Sequence, residues 1–209
     1  MNSSNLKYMD DNSAKNIIRL HAMFKQSRSN GPGCRTVIWT QGCPFHCNGC
    51  FNPRTHSLTE GELFPIRYLV DFIMKQKDSI EGITITGGEP LIQSQPLAAF
   101  LELLHKKSPP LSVILLTGYQ WEEIGLIPDI ERILNHTDVV IAGRFELKRR
   151  ISSGLRGSSN KTIHLLTERY CLEEIENTPP AEIAISPEGE IIISGIDPPI
   201  YTNPDKEAP

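Results

Sequence analysis

Apolar residues gather into short continuous runs through the middle of the chain, and glycine, proline or polar residues bound each run. The segments RTVIWTQ, GITITGGEP, LSVILLTGY and DVVIAG predict four strands around Val37, Ile85, Leu115 and Val140. Strands buried on both faces of a parallel sheet read as continuous apolar runs of this kind. TIHLLT predicts a fifth strand, and NIIRLHAMF fits either a strand or a short helix.

Between these strands, apolar residues recur at helical spacing. The segment ELFPIRYLVDFIMKQKD predicts a helix with Pro65 in its first turn and one apolar face, formed by Ile66, Leu69, Val70 and Ile73. QPLAAFLELLHKK predicts the next helix, and WEEIGLIPDIERILNH predicts helical turns interrupted at Gly125 and Pro128. Strands that alternate with helices indicate βα units. A complete eight-fold barrel usually needs ~250 residues, so we predict a single α/β domain folded as a partial (β/α) TIM-like barrel.

The two ends of the chain are polar and set the expected domain organisation. We predict a flexible lead-in over residues 1–16, one domain over residues 17–196, and a flexible tail over residues 197–209. Near its end, EIAISPEGEIIISG predicts a hairpin over about residues 182–195, turning at Pro187, Glu188 and Gly189.

Composition and charge narrow the class of protein. Hydrophobic residues make up 39% and charged residues 22%, as in soluble globular domains. The net charge of -4 favours binding to neither nucleic acid nor anionic lipid. No apolar run approaches the ~18 residues of a membrane span, and the N-terminus is unlike a signal peptide. We expect a cytoplasmic protein with reduced thiols and with no nucleic-acid or membrane partner.

Three of the five cysteines lie within eight residues, as Cys43, Cys47 and Cys50 in a C-x3-C-x2-C pattern. An odd cysteine count in a reducing compartment weighs against disulfides. A zinc site usually takes four ligands, so it would need His46 or His56 as the fourth. A [4Fe–4S] cluster held by three cysteines would leave one iron without a protein ligand. The spacing favours the cluster and leaves zinc open.

The chemically unusual segments follow successive strands. The cysteines come after the first of the four buried strands, GGEP after the second, TGY after the third and GRF after the fourth. Ligands of parallel sheets bind at the carboxyl ends of the strands. GGEP alone is most often only a turn, but its position predicts that these segments form one active site.

The cysteine pattern after one strand and GGEP after the next resemble the two signatures of the radical S-adenosylmethionine (SAM) enzymes. The resemblance implies that Cys43, Cys47 and Cys50 hold a [4Fe–4S] cluster whose open iron binds SAM. No catalytic residue beyond the cluster and SAM is implied, because such cofactors carry the difficult chemistry. The cofactor-binding residues expected on this basis, the last two in the loop LRGSSNK, are Gly87, Gly88, Glu89, Pro90, Thr117, Tyr119, Arg156 and Asn160.

Within that superfamily, NGPGCRTVIWTQGCPFHCNGCFNP resembles the entry segment of the glycyl-radical-enzyme activating proteins, most closely the activators of anaerobic ribonucleotide reductase. Many radical SAM enzymes have an aromatic residue just before the third cysteine, whereas this chain has Gly49 there, as the reductase activators also do. The segments TGY, GRFE and LRGSSNK also resemble segments of these activators. Ala142 departs from the group, which commonly has an acidic residue there.

The resemblance implies an oxidoreductase that cleaves SAM reductively and takes hydrogen from a glycine of a ribonucleotide reductase-like partner. With no second cysteine cluster, the electron is expected from an external donor such as flavodoxin or ferredoxin. Two alternatives stay open. One is a radical SAM enzyme acting on another peptide or a small molecule, and the other is a non-catalytic zinc- or cluster-binding module.

Overall fold

The computed structural model describes residues 16–108, 110–185, 189 and 191–196. Within this part the strands are β1 (Ile17–Ser27), β2 (Arg35–Thr40), β3 (Glu62–Pro65), β4 (Gly82–Gly87), β5 (Ser112–Thr117), β6 (Val139–Ala142), β7 (Thr162–Leu165), β8 (Ala181–Ile185) and β9 (Ile191–Gly195). The α-helices are α1 (Ile66–Met74), α2 (Ser94–Lys107), α3 (Trp121–Ile124), α4 (Ile130–Leu134) and α5 (Leu172–Glu176). Short 3-10 turns occupy Pro53–Thr55, Pro90–Gln93 and Leu147–Arg149.

Seven strands form one mixed sheet in the order β3-β1-β2-β4-β5-β6-β7. The four predicted buried strands, β2, β4, β5 and β6, pair in parallel at its centre. Strands β1, β3 and β7 flank them antiparallel. The prediction of a single α/β domain is therefore confirmed, and the sheet is open among the described residues, with β3 and β7 at its edges. The curvature of a partial barrel stays a prediction.

The structure decides one ambiguous segment and corrects the start of one predicted helix. NIIRLHAMF belongs to a strand, β1, which pairs with β2 on one side and with β3 on the other. The segment ELFP, read as the start of a helix, is strand β3 instead. Pro65 has the extended backbone angles φ -59° and ψ 134°, so the helix begins only at Ile66. Its predicted apolar face is buried.

Helices cover one face of the sheet and leave much of the other free. Apolar side chains of α1 and α2, such as Leu69, Ile73 and Leu101, form the main core with strand residues that include Ile38 and Ile85. On the opposite face, a smaller apolar cluster covers the β5 and β6 side and comprises Ile114, Val139, Ile141, Leu155, Tyr170 and Ile175. The rest of that face borders a cavity.

A buried arginine fastens the amino-terminal ends of the central strands. Arg35 on β2 is fully buried, and its Nε donates to Thr84 Oγ1 of β4 at 2.9 Å. Its Nη1 donates to Ser112 Oγ of β5 and to the Tyr170 hydroxyl, each at 3.0 Å. A buried charge is tolerated when it is fully hydrogen-bonded, and these contacts leave the carboxyl ends of the strands available for chemistry.

The last two strands pair with each other and not with the large sheet. In β8 and β9, Ile183 lies opposite Ile193, as expected for the predicted hairpin. Pro187 and Glu188 of its predicted turn lie outside the described residues, as do residues 1–15 and 197–209 of the predicted flexible ends. No helix in the described ranges is long and apolar enough to cross a membrane.

Candidate functional site

A cavity of about 480 Å³ opens on the sheet face that the helices leave free. This volume lies within the usual range of small-molecule and cofactor sites. The predicted segments after β2, β4 and β5 and the loop before β7 all contribute to its wall, with Cys43, Cys47, Cys50, Gly88, Thr117 and Arg156 among the lining residues. The structure thus brings most of the predicted site residues to one cavity.

Tight backbone contacts hold the cysteine loop at the end of β2. Gly42 N donates to Thr55 O at 2.8 Å, and Cys50 N donates to Cys47 O at 3.1 Å. Gly49 lies inside the latter turn with φ 72°, in the left-handed region that favours glycine. A Cβ there would also lie 3.0 Å from a methyl group of Leu147. In this chain, glycine at position 49 therefore has a local structural reason.

The three thiols are free, half-buried and exposed to the same cavity. Burial raises the pKa of Cys43 and of Cys50. Such thiols release their protons when a metal binds them, because the thiolate is the ligand. Three sulfur ligands on one wall match the donor set of an iron–sulfur cluster. The chemistry of the donors therefore fits a [4Fe–4S] cluster.

The two histidines near the cysteines face each other. His46 Nδ1 and His56 Nδ1 are 3.3 Å apart, and the rings meet edge to face with centroids 4.8 Å apart. His46 is exposed, whereas His56 lines the cavity. Across the described ranges, no three His, Cys, Asp or Glu side chains form a group suited to one metal ion. The ligands of a four-iron cluster bind separate irons and need not converge on one point.

Glu89 of GGEP is fully buried and connects the ends of two strands. Its carboxylate accepts hydrogen bonds from Leu91 N at 2.9 Å, from Thr117 Oγ1 at 2.8 Å and from Gly118 N at 2.6 Å. Burial raises the pKa of Glu89 to about 7, against the opposing effect of these hydrogen bonds. The acidic residue of the motif thus fixes the end of β5 beside the end of β4.

The two glycines of GGEP pack against the cysteine loop. Gly88 N donates to Thr40 O at 2.8 Å, and Glu89 N donates to Gly42 O at 2.7 Å. A Cβ on Gly88 would lie 2.2 Å from Gly42 O, and one on Gly87 would lie 2.5 Å from Thr40 N. The expectation that bare backbone lets a ligand approach stays a prediction. What the structure adds is that the glycines let two loops meet.

The next three predicted residues differ in their positions. Thr117 is buried, lines the cavity and accepts a hydrogen bond from Tyr119 N at 3.1 Å. The Tyr119 ring meets Phe45 edge to face at 4.9 Å, and burial raises the pKa of its hydroxyl. Pro90 is buried at the start of the 3-10 turn after Glu89. Neither Tyr119 nor Pro90 is among the residues that border the cavity.

The loop LRGSSNK reaches the cavity from the other side. Arg156 lines it and forms an ion pair with Glu176, with Nη2 and Oε1 2.7 Å apart. Asn160 Nδ2 donates to Arg144 O at 2.8 Å, while its Oδ1 is buried with no hydrogen-bond partner among the described residues. Asn160 does not itself border the cavity.

Two basic residues near the site were not among the predicted site residues. Lys161 lines the cavity, and its charge interacts with the thiol positions and with Glu89, while burial lowers the pKa of its ammonium group. Arg144 lies over the ring of Phe45, with its guanidinium carbon 4.4 Å from the ring centroid, and also pairs with a carboxylate of α3. The segments GRFE and LRGSSNK contained the signal for both. Ala142, by contrast, is buried in the apolar core.

Known proteins match this chain over most of its length. The family model of a 4Fe-4S single cluster domain matches residues 29–164. The anaerobic ribonucleoside-triphosphate reductase-activating protein of Enterobacteria phage T4 is 31% identical over 137 residues, covering 64% of this chain and 85% of that protein. The protein of the same name from Vibrio cholerae serotype O1 is 32% identical over 155 residues, covering 70% and 97%.

A second activating enzyme also matches. The pyruvate formate-lyase-activating enzyme of Clostridium pasteurianum is 32% identical over 127 residues, which cover 59% of this chain and 50% of that enzyme. The family-model match over residues 29–164 includes the cysteine loop, the GGEP turn and the loop after β6, the segments that meet at the cavity. The chain therefore belongs to the 4Fe-4S single cluster domain family and, within it, to the radical SAM group that contains these activating proteins.

Proposed function

We propose that this chain activates a glycyl-radical enzyme, with a partner resembling anaerobic ribonucleoside-triphosphate reductase. Cys43, Cys47 and Cys50 would hold the [4Fe–4S] cluster and leave one iron open for SAM. The observation that carries this proposal is the meeting of three free thiols and the GGEP turn at one cavity. The curvature of a partial barrel, with the cavity on its concave face, belongs to the same proposal.

The chain's own residues would bind and orient the cofactors. The three cysteines would lose their thiol protons as they become ligands. Glu89 would border the cofactor from the cavity wall, where hydrogen bonds from the protein hold its carboxylate in place. Its role would be to hold Thr117 and the turn after β4 at the cavity wall. Arg156, anchored by Glu176, would present its remaining donors to a carboxylate such as that of SAM.

Aromatic side chains would limit the access of water. Phe45, Phe51 and Phe145 line the cavity, and the rings of Phe51 and Phe145 lie 4.7 Å apart. Excluding water strengthens electrostatic interactions and protects reactive species from side reactions. The cavity would thus be a dry site that opens to a segment of the partner.

When bound, the cluster would supply one electron to SAM, whose cleavage would give methionine and a 5′-deoxyadenosyl radical. Transfer of the glycine α-hydrogen atom to that radical would give 5′-deoxyadenosine and leave a glycyl radical on the partner. The electron would come from an external donor such as flavodoxin or ferredoxin. The two remaining cysteines, Cys34 and Cys171, are too few to hold a second cluster.

Anaerobic reconstitution tests this function. The chain is loaded with iron and sulfide, reduced, and given SAM with or without the reductase, and 5′-deoxyadenosine is measured. We expect SAM cleavage by the parent chain, none by Cys47→Ala, and normal cleavage by Cys171→Ala, an exposed cysteine away from the cavity. If the chain binds zinc, and the reconstituted chain forms no 5′-deoxyadenosine, the protein would instead be a metal-binding module.

The identity of the partner needs a separate comparison. The same reaction is run with a ribonucleoside-triphosphate reductase and with a pyruvate formate-lyase, and glycyl radical is detected by electron paramagnetic resonance. We expect the signal with the reductase. SAM cleavage without a radical on either protein would point to a different peptide or small-molecule substrate.

A further inference from the structure

The cavity extends from the cysteine loop toward the opposite end of the central strands. Asn30 and Phe24 also line it, although Asn30 lies in the loop that leads into β2 and the cysteines follow that strand. The six residues of β2 separate these two ends by about 20 Å at ~3.3 Å per residue. The end farthest from the thiols therefore has its own wall.

The C-terminal hairpin, β8 and β9, supplies part of that wall. Ile192 and Ile193 of β9 and the following Ile196 line the cavity. These residues lie beyond the region 29–164 that matches the family model. The Vibrio cholerae relative is covered over 97% of its length by only 70% of this chain. The hairpin is an addition to the region shared with the family.

Specific polar contacts dock this hairpin on the loop between β1 and β2. Ser27 at the end of β1 and Asn30 in that loop are buried although they are polar. Glu182 of β8 accepts hydrogen bonds from Arg28 N at 2.8 Å and from the Ser27 hydroxyl. Asn30 Nδ2 donates to Ser194 Oγ of β9 at 2.7 Å. Buried polar groups need such partners, so the loop and the hairpin complement each other.

The two faces of the hairpin have different surroundings. Glu182 pairs across the strands with Ser194, and both point toward the loop. Ile185 pairs with Ile191 on the alternate positions, and these side chains are 70% and 56% exposed. The face that carries Glu182 and Ser194 is thus docked on the loop. The opposite face, which carries Ile185 and Ile191, provides exposed positions for control substitutions.

We propose that the C-terminal hairpin is an added floor of the reaction cavity. It shields the apolar end from solvent and limits how far a polypeptide segment that enters past the cysteine loop can reach. The second part rests on the proposed function, because it takes the partner's glycine segment as the occupant.

Trp39, which lines the cavity, reports the shielding directly in the full chain. The protein has two tryptophans, so a Trp121→Phe background leaves Trp39 as the only one. In that background, Ile192→Ala removes a lining side chain on the same face of the hairpin as Glu182 and Ser194. We expect acrylamide to quench Trp39 fluorescence more strongly in this variant. Ile185→Ala, on the exposed face, should match the parent.

Docking is tested by amide hydrogen exchange. Glu182→Ala removes at least two hydrogen bonds to a charged acceptor, so opening of the hairpin and exchange of the β9 amides should become roughly 100-fold faster. Unchanged Trp39 quenching in Ile192→Ala, or unchanged β9 exchange in Glu182→Ala, would overturn the proposed floor.

The loaded enzyme tests the substrate-limiting role. With a reductase partner, both hairpin variants should form more 5′-deoxyadenosine per glycyl radical than the parent does, because the segment is held less well. An unchanged ratio alongside raised quenching would overturn this role and leave the floor intact. Failure of the parent itself to form either product would count against the proposed function instead, and the quenching result would still stand.

Discussion

Replacing the buried carboxylate of GGEP should alter both the stability of the chain and its dependence on pH. In Glu89→Gln, the amide oxygen can still accept the hydrogen bonds from Leu91 N and Thr117 Oγ1, both made to the same carboxylate oxygen. The amide nitrogen would then face Gly118 N, which is also a donor. A buried donor without an acceptor costs about 1–3 kcal/mol, so we expect a loss of this size at about pH 8, where Glu89 is ionised.

The pH dependence follows from the raised pKa of Glu89. The pKa is about 7 in the folded protein, against an ordinary value of 4.5. The folded state therefore binds more protons than the unfolded state between these values, and stability falls as the pH rises through this window. At about 1.4 kcal/mol for each pKa unit, the parent should be about 2–3 kcal/mol more stable at about pH 5 than at about pH 8 through this group. Glu89→Gln lacks this contribution.

Urea unfolding of the parent and of Glu89→Gln across this pH range measures the difference directly. Effects of all other titrating groups cancel when the two free energies of unfolding are subtracted. The advantage of the parent should widen as the pH falls. Glu122→Gln, at an exposed position on α3, serves as the control and should track the parent. A constant difference between parent and Glu89→Gln over the whole range would refute the reasoning.

Three further predictions concern separate features. Cys43→Ala should lose most of the bound iron after reconstitution, measured as iron per chain, while Cys171→Ala retains it; equal iron in both would exclude Cys43 as a ligand. Gly88→Ala should lower the free energy of unfolding by about 1–3 kcal/mol through overpacking. The control Gly125→Ala should be neutral, because nothing lies within 4 Å of the new Cβ. Thermal unfolding compares the two variants, and equal melting temperatures would contradict the close contact at Gly88. Arg35→Met should cost about 3–5 kcal/mol by unfolding in urea because it leaves several buried acceptors unpaired, and a loss below about 1 kcal/mol would show that the network is dispensable.

The sequence predicted the elements whose pattern is set locally. Strands β2, β4, β5 and β6 are continuous apolar runs because both faces of the sheet centre are buried. Strand β1 stayed ambiguous because its register with β2 shifts between Leu20 and Ala22, which breaks the alternation of a regular strand. Strand β3 was hidden in a helical pattern, since only its pairing with β1 distinguishes Glu62–Pro65 from a first helical turn.

The candidate site shows a similar division. The cysteine loop and GGEP were predictable because each follows a strand that ends at the same edge. The hydrogen bonds that Glu89 accepts from Thr117 and Gly118 depend on how β4 and β5 lie side by side, and local sequence does not encode that arrangement. Docking of the hairpin through Glu182 joins residues more than 150 positions apart, and no periodicity signals such a contact.

The most direct test of the central claim follows the hydrogen atom. A ribonucleoside-triphosphate reductase labelled with deuterium at its glycine α-carbons is incubated anaerobically with the loaded chain, reductant and SAM. Mass spectrometry of the 5′-deoxyadenosine is combined with electron paramagnetic resonance of the reductase. The account predicts 5′-deoxyadenosine that carries one deuterium from the reductase, together with a glycyl radical on that protein. Unlabelled 5′-deoxyadenosine with no radical on the reductase would contradict it.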